Sequence, residues 1–119
     1  MQAKIITLGL LGAALVVAVP ATAAPSRHAA TTTTITVKMT EFKFTLSRSS
    51  APRGTVVFKI VNKGQVAHDF KINGKKTPLV APGKSTTLTV KFKNAGKYPY
   101  LCTVAGHAAS GMKGVFTIK

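Results

Sequence analysis

Cysteine is nearly missing from this sequence: Cys102 is the only one in 119 residues. That excludes an intramolecular disulfide, and it leaves no cysteine near the N-terminus to carry a lipid anchor. Acidic residues are almost as scarce. Glu41 and Asp69 stand against 17 Lys and Arg, for a formal net charge of +15. Past the N-terminal stretch no segment holds a long 3.6-residue hydrophobic period, which argues against helices as the framework. Internal repeats are absent too, so the chain is one unit rather than an array. There are three histidines and no tryptophan.

The N-terminus has the look of an export signal. Lys4 supplies a positive start, and Ile5 to Val19 is an uncharged, almost wholly apolar run. Pro20 ends that run, and Ala21-Thr22-Ala23 offers the small-x-small pattern of a cleavage site. Fifteen apolar residues are fewer than the roughly 20 that cross a bilayer comfortably. The expected partition is therefore a signal peptide over 1–23, a loose leader over 24–34 rich in Ala, Thr, Ser and Pro, and a folded domain over 35–119. An uncleaved N-terminal anchor is the rival reading. Export places the chain in an oxidising compartment, periplasmic or extracellular, where a lone thiol needs a protector. His28 falls fifth after the expected cleavage, whereas an N-terminal copper clip needs a histidine third from the free amine, so it reads as a solvent-exposed side chain.

The domain reads as short β-strands separated by turns. Ile35–Met39 alternates, Phe42–Leu46 sets three apolar residues on one face, Thr55–Val61 is β-branched and aromatic, and Val66–Ile72 reads as a further strand. The cleanest alternation puts Leu88, Val90 and Phe92 inward and Thr87, Thr89, Lys91 and Lys93 outward. Lys97–Thr103 and Val115–Ile118 complete the set, with Pro99 marking an edge or a bulge. Turn signals at Pro52-Arg53-Gly54, Asn62-Lys63-Gly64, Asn73-Gly74, Pro82-Gly83 and Asn94-Ala95-Gly96 separate them. Seven to eight strands of this kind predict an all-β Greek-key sandwich or barrel.

The chemistry sits near the C-terminus. Cys102, His107 and Met112 fall in a glycine-rich stretch spaced Cys-x4-His-x4-Met. Each has an ordinary alternative as a core or turn-flanking residue. Together they supply a thiolate, an imidazole and a thioether, donors that suit copper, and a blue-copper set adds a second imidazole. His68, in the segment before Asp69-Phe70, can provide it if the fold brings that segment beside the loop 34 positions later.

Tyr100-Leu-Cys-Thr-Val-Ala-Gly-His-Ala-Ala-Ser-Gly-Met112-Lys-Gly resembles the copper loop of the plastocyanin/azurin-like cupredoxins, its spacing nearest the rusticyanin-like and sulfocyanin-like members. Asn62-Lys63-Gly64 to His68 resembles the family's upstream Asn-x-Gly…His segment. The likeness spans most of residues 35–119. It implies His68, Cys102 and His107 as the trigonal ligands of one copper ion, Met112 as a long axial ligand, and His107 as the exposed ligand that passes the electron. Asp69 stands where plastocyanin-like members often carry asparagine, and it is expected to accept a hydrogen bond from the backbone or hydroxyl of Thr103.

The expected function is a mononuclear type 1 copper protein that shuttles one electron as Cu(II)/Cu(I), rather than an enzyme. A binuclear copper entry site needs two cysteines, and multicopper oxidases need many more histidines. A copper carrier or storage protein without redox turnover is the alternative. A cysteine hydrolase using Cys102, His68 and Asp69 would leave Met112 without a role. Removal of Lys4 with the signal leaves a charge of +14. Nucleic acid is one conventional partner for such charge. Export argues against it, and so does the spread of Lys59, Lys71, Lys91 and Lys93 along the polar faces of strands. The expected partners of this monomer are redox proteins with acidic docking surfaces, or an anionic envelope surface.

Overall fold

The computed structural model describes Gly9, residues 12–20 and residues 31–119. The expected cleavage site at 21–23 and His28 lie outside the described residues. Among the described residues, no helix is long and apolar enough to cross a membrane.

Among the described residues, nine strands form two sheets. They are β1 (Thr32–Thr40), β2 (Lys43–Leu46), β3 (Ser50–Ala51), β4 (Gly54–Asn62), β5 (Lys71–Ile72), β6 (Lys75–Lys76), β7 (Ser85–Phe92), β8 (Gly96–Leu101) and β9 (Lys113–Ile118). The first sheet has the order β2-β1-β4-β7 and the second β3-β9-β8-β5-β6. Both are mixed, because β1 runs parallel to β4 and β3 runs parallel to β9. The count exceeds the seven or eight expected. The additions β3 and β6 are two residues each, too short to show a period in sequence.

Alternation builds the core. Thr33, Ile35, Val37 and Met39 of β1 and Val56, Phe58 and Ile60 of β4 point inward. They meet Phe70, Ile72, Phe116 and Ile118 from the second sheet and the segment leading into it. Phe58 bridges the layers, with its ring centroid 5.1 Å from Phe70 and 5.5 Å from Phe116. In β7, Val90 and Phe92 are buried, Leu88 is partly buried, and Thr87, Thr89 and Lys91 face solvent, as the pattern predicts. Lys59, Lys71, Lys91 and Lys93 are all exposed.

Several boundaries differ from the sequence reading: Phe42, expected in one strand with Phe44 and Leu46, lies exposed in the turn before β2, and the ends of β8 and β9 shift by one or two residues. Strand β1 starts at Thr32, inside the expected leader, because Thr32, Thr33 and Thr34 pair with Thr55, Val56 and Val57 and Thr33 is buried. The expected strand at Val66–Ile72 is mostly irregular. Only Lys71–Ile72 joins a ladder, and His68 makes an isolated bridge to Val80. Side chains explain the change. The Asn62 amide donates to the carbonyls of Val66 (2.8 Å) and Val80 (2.7 Å) and accepts from the Gly64 N–H (2.8 Å). Glu41 accepts the N–H groups of Gln65 and Val66 at 2.7 and 2.9 Å. The backbone groups a ladder would use are already paired. Pro99 is accommodated in β8 because β5 pairs only with Tyr100 and Leu101, so the strand has an open side at position 99.

Candidate metal centre

Three of the four predicted residues converge by side chain at one end of the sandwich. His68 arrives on the segment that Asn62 holds, fixed by reciprocal backbone hydrogen bonds with Val80 of 3.2 and 2.7 Å. Cys102 follows β8 directly, and its N–H donates to the Met112 carbonyl at 3.1 Å, which extends the β8–β9 hairpin by one pair. Between these two residues the chain forms a compact loop. Its turns close through His107 N–H to Val104 (3.1 Å), Ser110 N–H to Gly106 (3.1 Å) and Met112 N–H to His107 (3.1 Å). Gly106 (φ 81°) and Gly111 (φ 113°) supply left-handed backbone that a side chain would resist.

The Nδ1 atoms of His68 and His107 lie 3.1 Å apart. Cys102 Sγ is 4.0 Å from the first and 3.6 Å from the second. His68 and Cys102 are fully buried and His107 is half-buried. Met112 is also fully buried, tied by its backbone to both Cys102 and His107. Burial pushes the Cys102 thiol above its ordinary range, so ionising it calls for a nearby cation.

Asp69 braces the loop as expected. Its carboxylate accepts the Thr103 N–H at 2.6 Å and the Thr103 hydroxyl as well. These bonds join the histidine segment to the residue after Cys102. With both oxygens engaged there, Asp69 does not orient His68 as a hydrolase triad would require. Replacing Asp69 by alanine removes the acceptor of the Thr103 N–H and hydroxyl, both part-buried bonds, and is expected to lower the stability of the metal-free protein by about 1 kcal/mol. Asp69→Asn, which keeps one acceptor oxygen, is expected to lose less. Thermal melts of the two variants check this.

The turn between β1 and β2 also reaches the site, which sequence reasoning missed. Glu41 Oε1 lies 3.1 Å from His68 Nε2. The Phe42 ring packs edge-on against His107, with centroids 4.9 Å apart. Hydrogen bonds from Val66 and Gln65 hold the Glu41 carboxyl down to about 2 from an ordinary 4.5, so it is ionised at neutral pH. One signal was available. Glu41 and Asp69 are the only acids in a strongly basic chain, and both brace this one centre.

The family model of the cupredoxin-like domain matches residues 12–118. The chain belongs to the cupredoxin-like family. Solved structures share the fold. A dithionite-reduced auracyanin from Roseiflexus castenholzii has a TM-score of 0.65 at 24% identity, with 73% of this chain and 97% of that chain covered. Auracyanin A, described as a "blue" copper protein from Chloroflexus aurantiacus, has a TM-score of 0.59 at 20% identity, with 75% of this chain and 100% of that chain covered. A chain of a heme-copper terminal oxidase dimer has a TM-score of 0.62 at 20% identity, with 79% of this chain and 68% of that chain covered. No curated protein matches the chain.

The donors of this cupredoxin-like domain pass a test of fit. First-row metal ions bind imidazole at about 2.0 Å and thiolate at about 2.3 Å, so three ligands around one ion lie roughly 3.5 Å from one another. The spacings here, 3.1, 3.6 and 4.0 Å, bracket that value. Two imidazoles and a thiolate match a single type 1 copper site.

Proposed function

We propose that this chain is an exported type 1 copper protein that carries single electrons between partner proteins. His68, Cys102, His107 and Met112 are its metal ligands. The observation that carries the reading is the convergence of the only cysteine with two imidazoles within 4.0 Å, on elements braced from both sides. The ion supplies a Cu(II)/Cu(I) couple that takes one electron from a reduced donor and gives one to an oxidised acceptor.

The chain's own residues do the rest. Asn62, Asp69 and the hairpin beneath Cys102 hold the donors in place, which keeps rearrangement between oxidation states small. Full burial of His68 and Cys102 excludes water from all but one side. That side is His107, half-buried beside the 41% exposed Phe42, and it is the route by which an electron leaves. With both acids drawn into the site, the remaining surface is basic and suits an acidic redox partner or an anionic envelope surface. The signal-like residues 1–23 support a periplasmic or extracellular place, with the folded domain working as a monomer.

The test is a visible and electron-paramagnetic-resonance spectrum of copper-loaded protein, followed by a redox titration. A strong red-end thiolate-to-copper band with a narrow copper splitting and a reversible one-electron wave is expected. A colourless protein that takes only Cu(I) would instead identify a copper carrier.

A further inference from the structure

Glu41 is acceptor-only when ionised, and it already takes two backbone N–H groups. Its contact with His68 Nε2 therefore fixes that nitrogen as the donor. In a neutral imidazole the other nitrogen, Nδ1, then carries the lone pair, and it is the one that faces Cys102 and His107. The carboxylate is itself seated. Gly64 is buried against it, and a Cβ at position 64 would lie 2.5 Å from Oε1. Glu41 lies on an exposed turn, but its side chain is only 29% exposed because it packs against Gly64 and His68.

The geometry points to Glu41 as the positioning residue of the metal centre: its carboxylate on His68 Nε2 sets the imidazole to present Nδ1 to the ion and biases the site toward the more highly charged Cu(II). This rests on the copper reading above and adds a determinant of affinity and potential. The charge acts through His68, and Glu41 itself does not touch the metal. A fixed negative charge one hydrogen bond behind a ligand favours the oxidised ion, so removing it raises the reduction potential.

Three variants separate orientation from charge. Glu41→Ala removes both, Glu41→Gln keeps an acceptor oxygen without charge, and Gly64→Ala crowds the carboxylate while leaving its charge. Nitrogen-15 spectra of the metal-free wild type are expected to show His68 protonated at Nε2 only, and Glu41→Ala is expected to mix the two tautomers. Affinities for Cu(II) and Zn(II) are expected to fall 10–100-fold in Glu41→Ala and less in Glu41→Gln. The potential is expected to rise in both, whereas Gly64→Ala weakens metal binding with a smaller change in potential. A purely structural brace would lower the melting temperature and leave the potential where it was. An unchanged potential in Glu41→Gln overturns the proposal, whether or not Glu41→Ala folds. Failure of the copper reading appears separately, as a wild type without a visible band; His68 tautomer and Zn(II) affinity then decide the role of Glu41, and wild-type values of both in Glu41→Gln and Gly64→Ala overturn it.

Discussion

Cys102→Ser is expected to abolish the intense visible band of the copper-loaded protein while leaving the metal-free fold standing. The band of a blue-copper centre arises from thiolate-to-copper charge transfer, and serine offers a harder oxygen donor that stays protonated. No other sulfur can replace it, because the remaining methionines cannot supply a thiolate and there is no second cysteine. The fold should tolerate the change. What holds position 102 is backbone, namely its N–H on the Met112 carbonyl and the β8–β9 ladder beneath. Swapping a buried sulfur for a hydroxyl should cost about 1–2 kcal/mol, within the usual range for point mutants. Absorption spectra of loaded protein and thermal melts of metal-free protein check the two halves. A retained red-end band in the serine variant would remove Cys102 from the ligand set.

Asn62→Ala is expected to be the most destabilising single change near the site. One buried amide serves the carbonyls of Val66 and Val80 and the N–H of Gly64. Truncation leaves the Val66 carbonyl and the Gly64 N–H without protein partners, and takes from the Val80 carbonyl one of its two donors, the His68 N–H remaining. At about 1–3 kcal/mol for each buried orphan, with water rescuing some, the loss is about 2 kcal/mol or more. For a domain of this size that corresponds to a fall in melting temperature of more than about 10 °C. A fall of under about 5 °C would show that water replaces the amide. The same variant should weaken metal binding, because the segment that loosens is the one that delivers His68.

The two variants probe different layers of the molecule. Cys102 is a proposed donor on a hairpin whose framework is regular, and the hairpin is expected to survive its loss. Asn62 is no donor, yet the irregular backbone around His68 depends on it. Irregular backbone in a β-protein has to find its hydrogen bonds somewhere, and here Asn62 and Glu41 provide them. The metal centre thus lies where side chains, rather than ladders, satisfy the main chain. That arrangement explains why the strand expected over Val66–Ile72 breaks up just where His68 must turn toward the loop.

What could be read from the residues alone follows short-range rules. The alternation in Thr87–Phe92 faithfully reports which side chains are buried, because a strand's period of two is a local property. The Cys-x4-His-x4-Met loop was legible for the same reason: its three residues lie within eleven positions of one another. The hydrogen bond from Thr103 to Asp69 was anticipated from the family pattern. The two-residue strands β3 and β6 were not, since two positions cannot display a period.

An all-β domain, a single soft-donor loop and a basic surface can be read from the residues alone, since each is written in neighbouring positions or in composition. That His68 meets Cys102 across 34 positions emerges with the folded chain. So does the turn at Glu41-Phe42, distant in sequence from both, which places one residue on each imidazole. Those contacts arise from the packing of two sheets, and no local pattern encodes which loops will share an end of the sandwich.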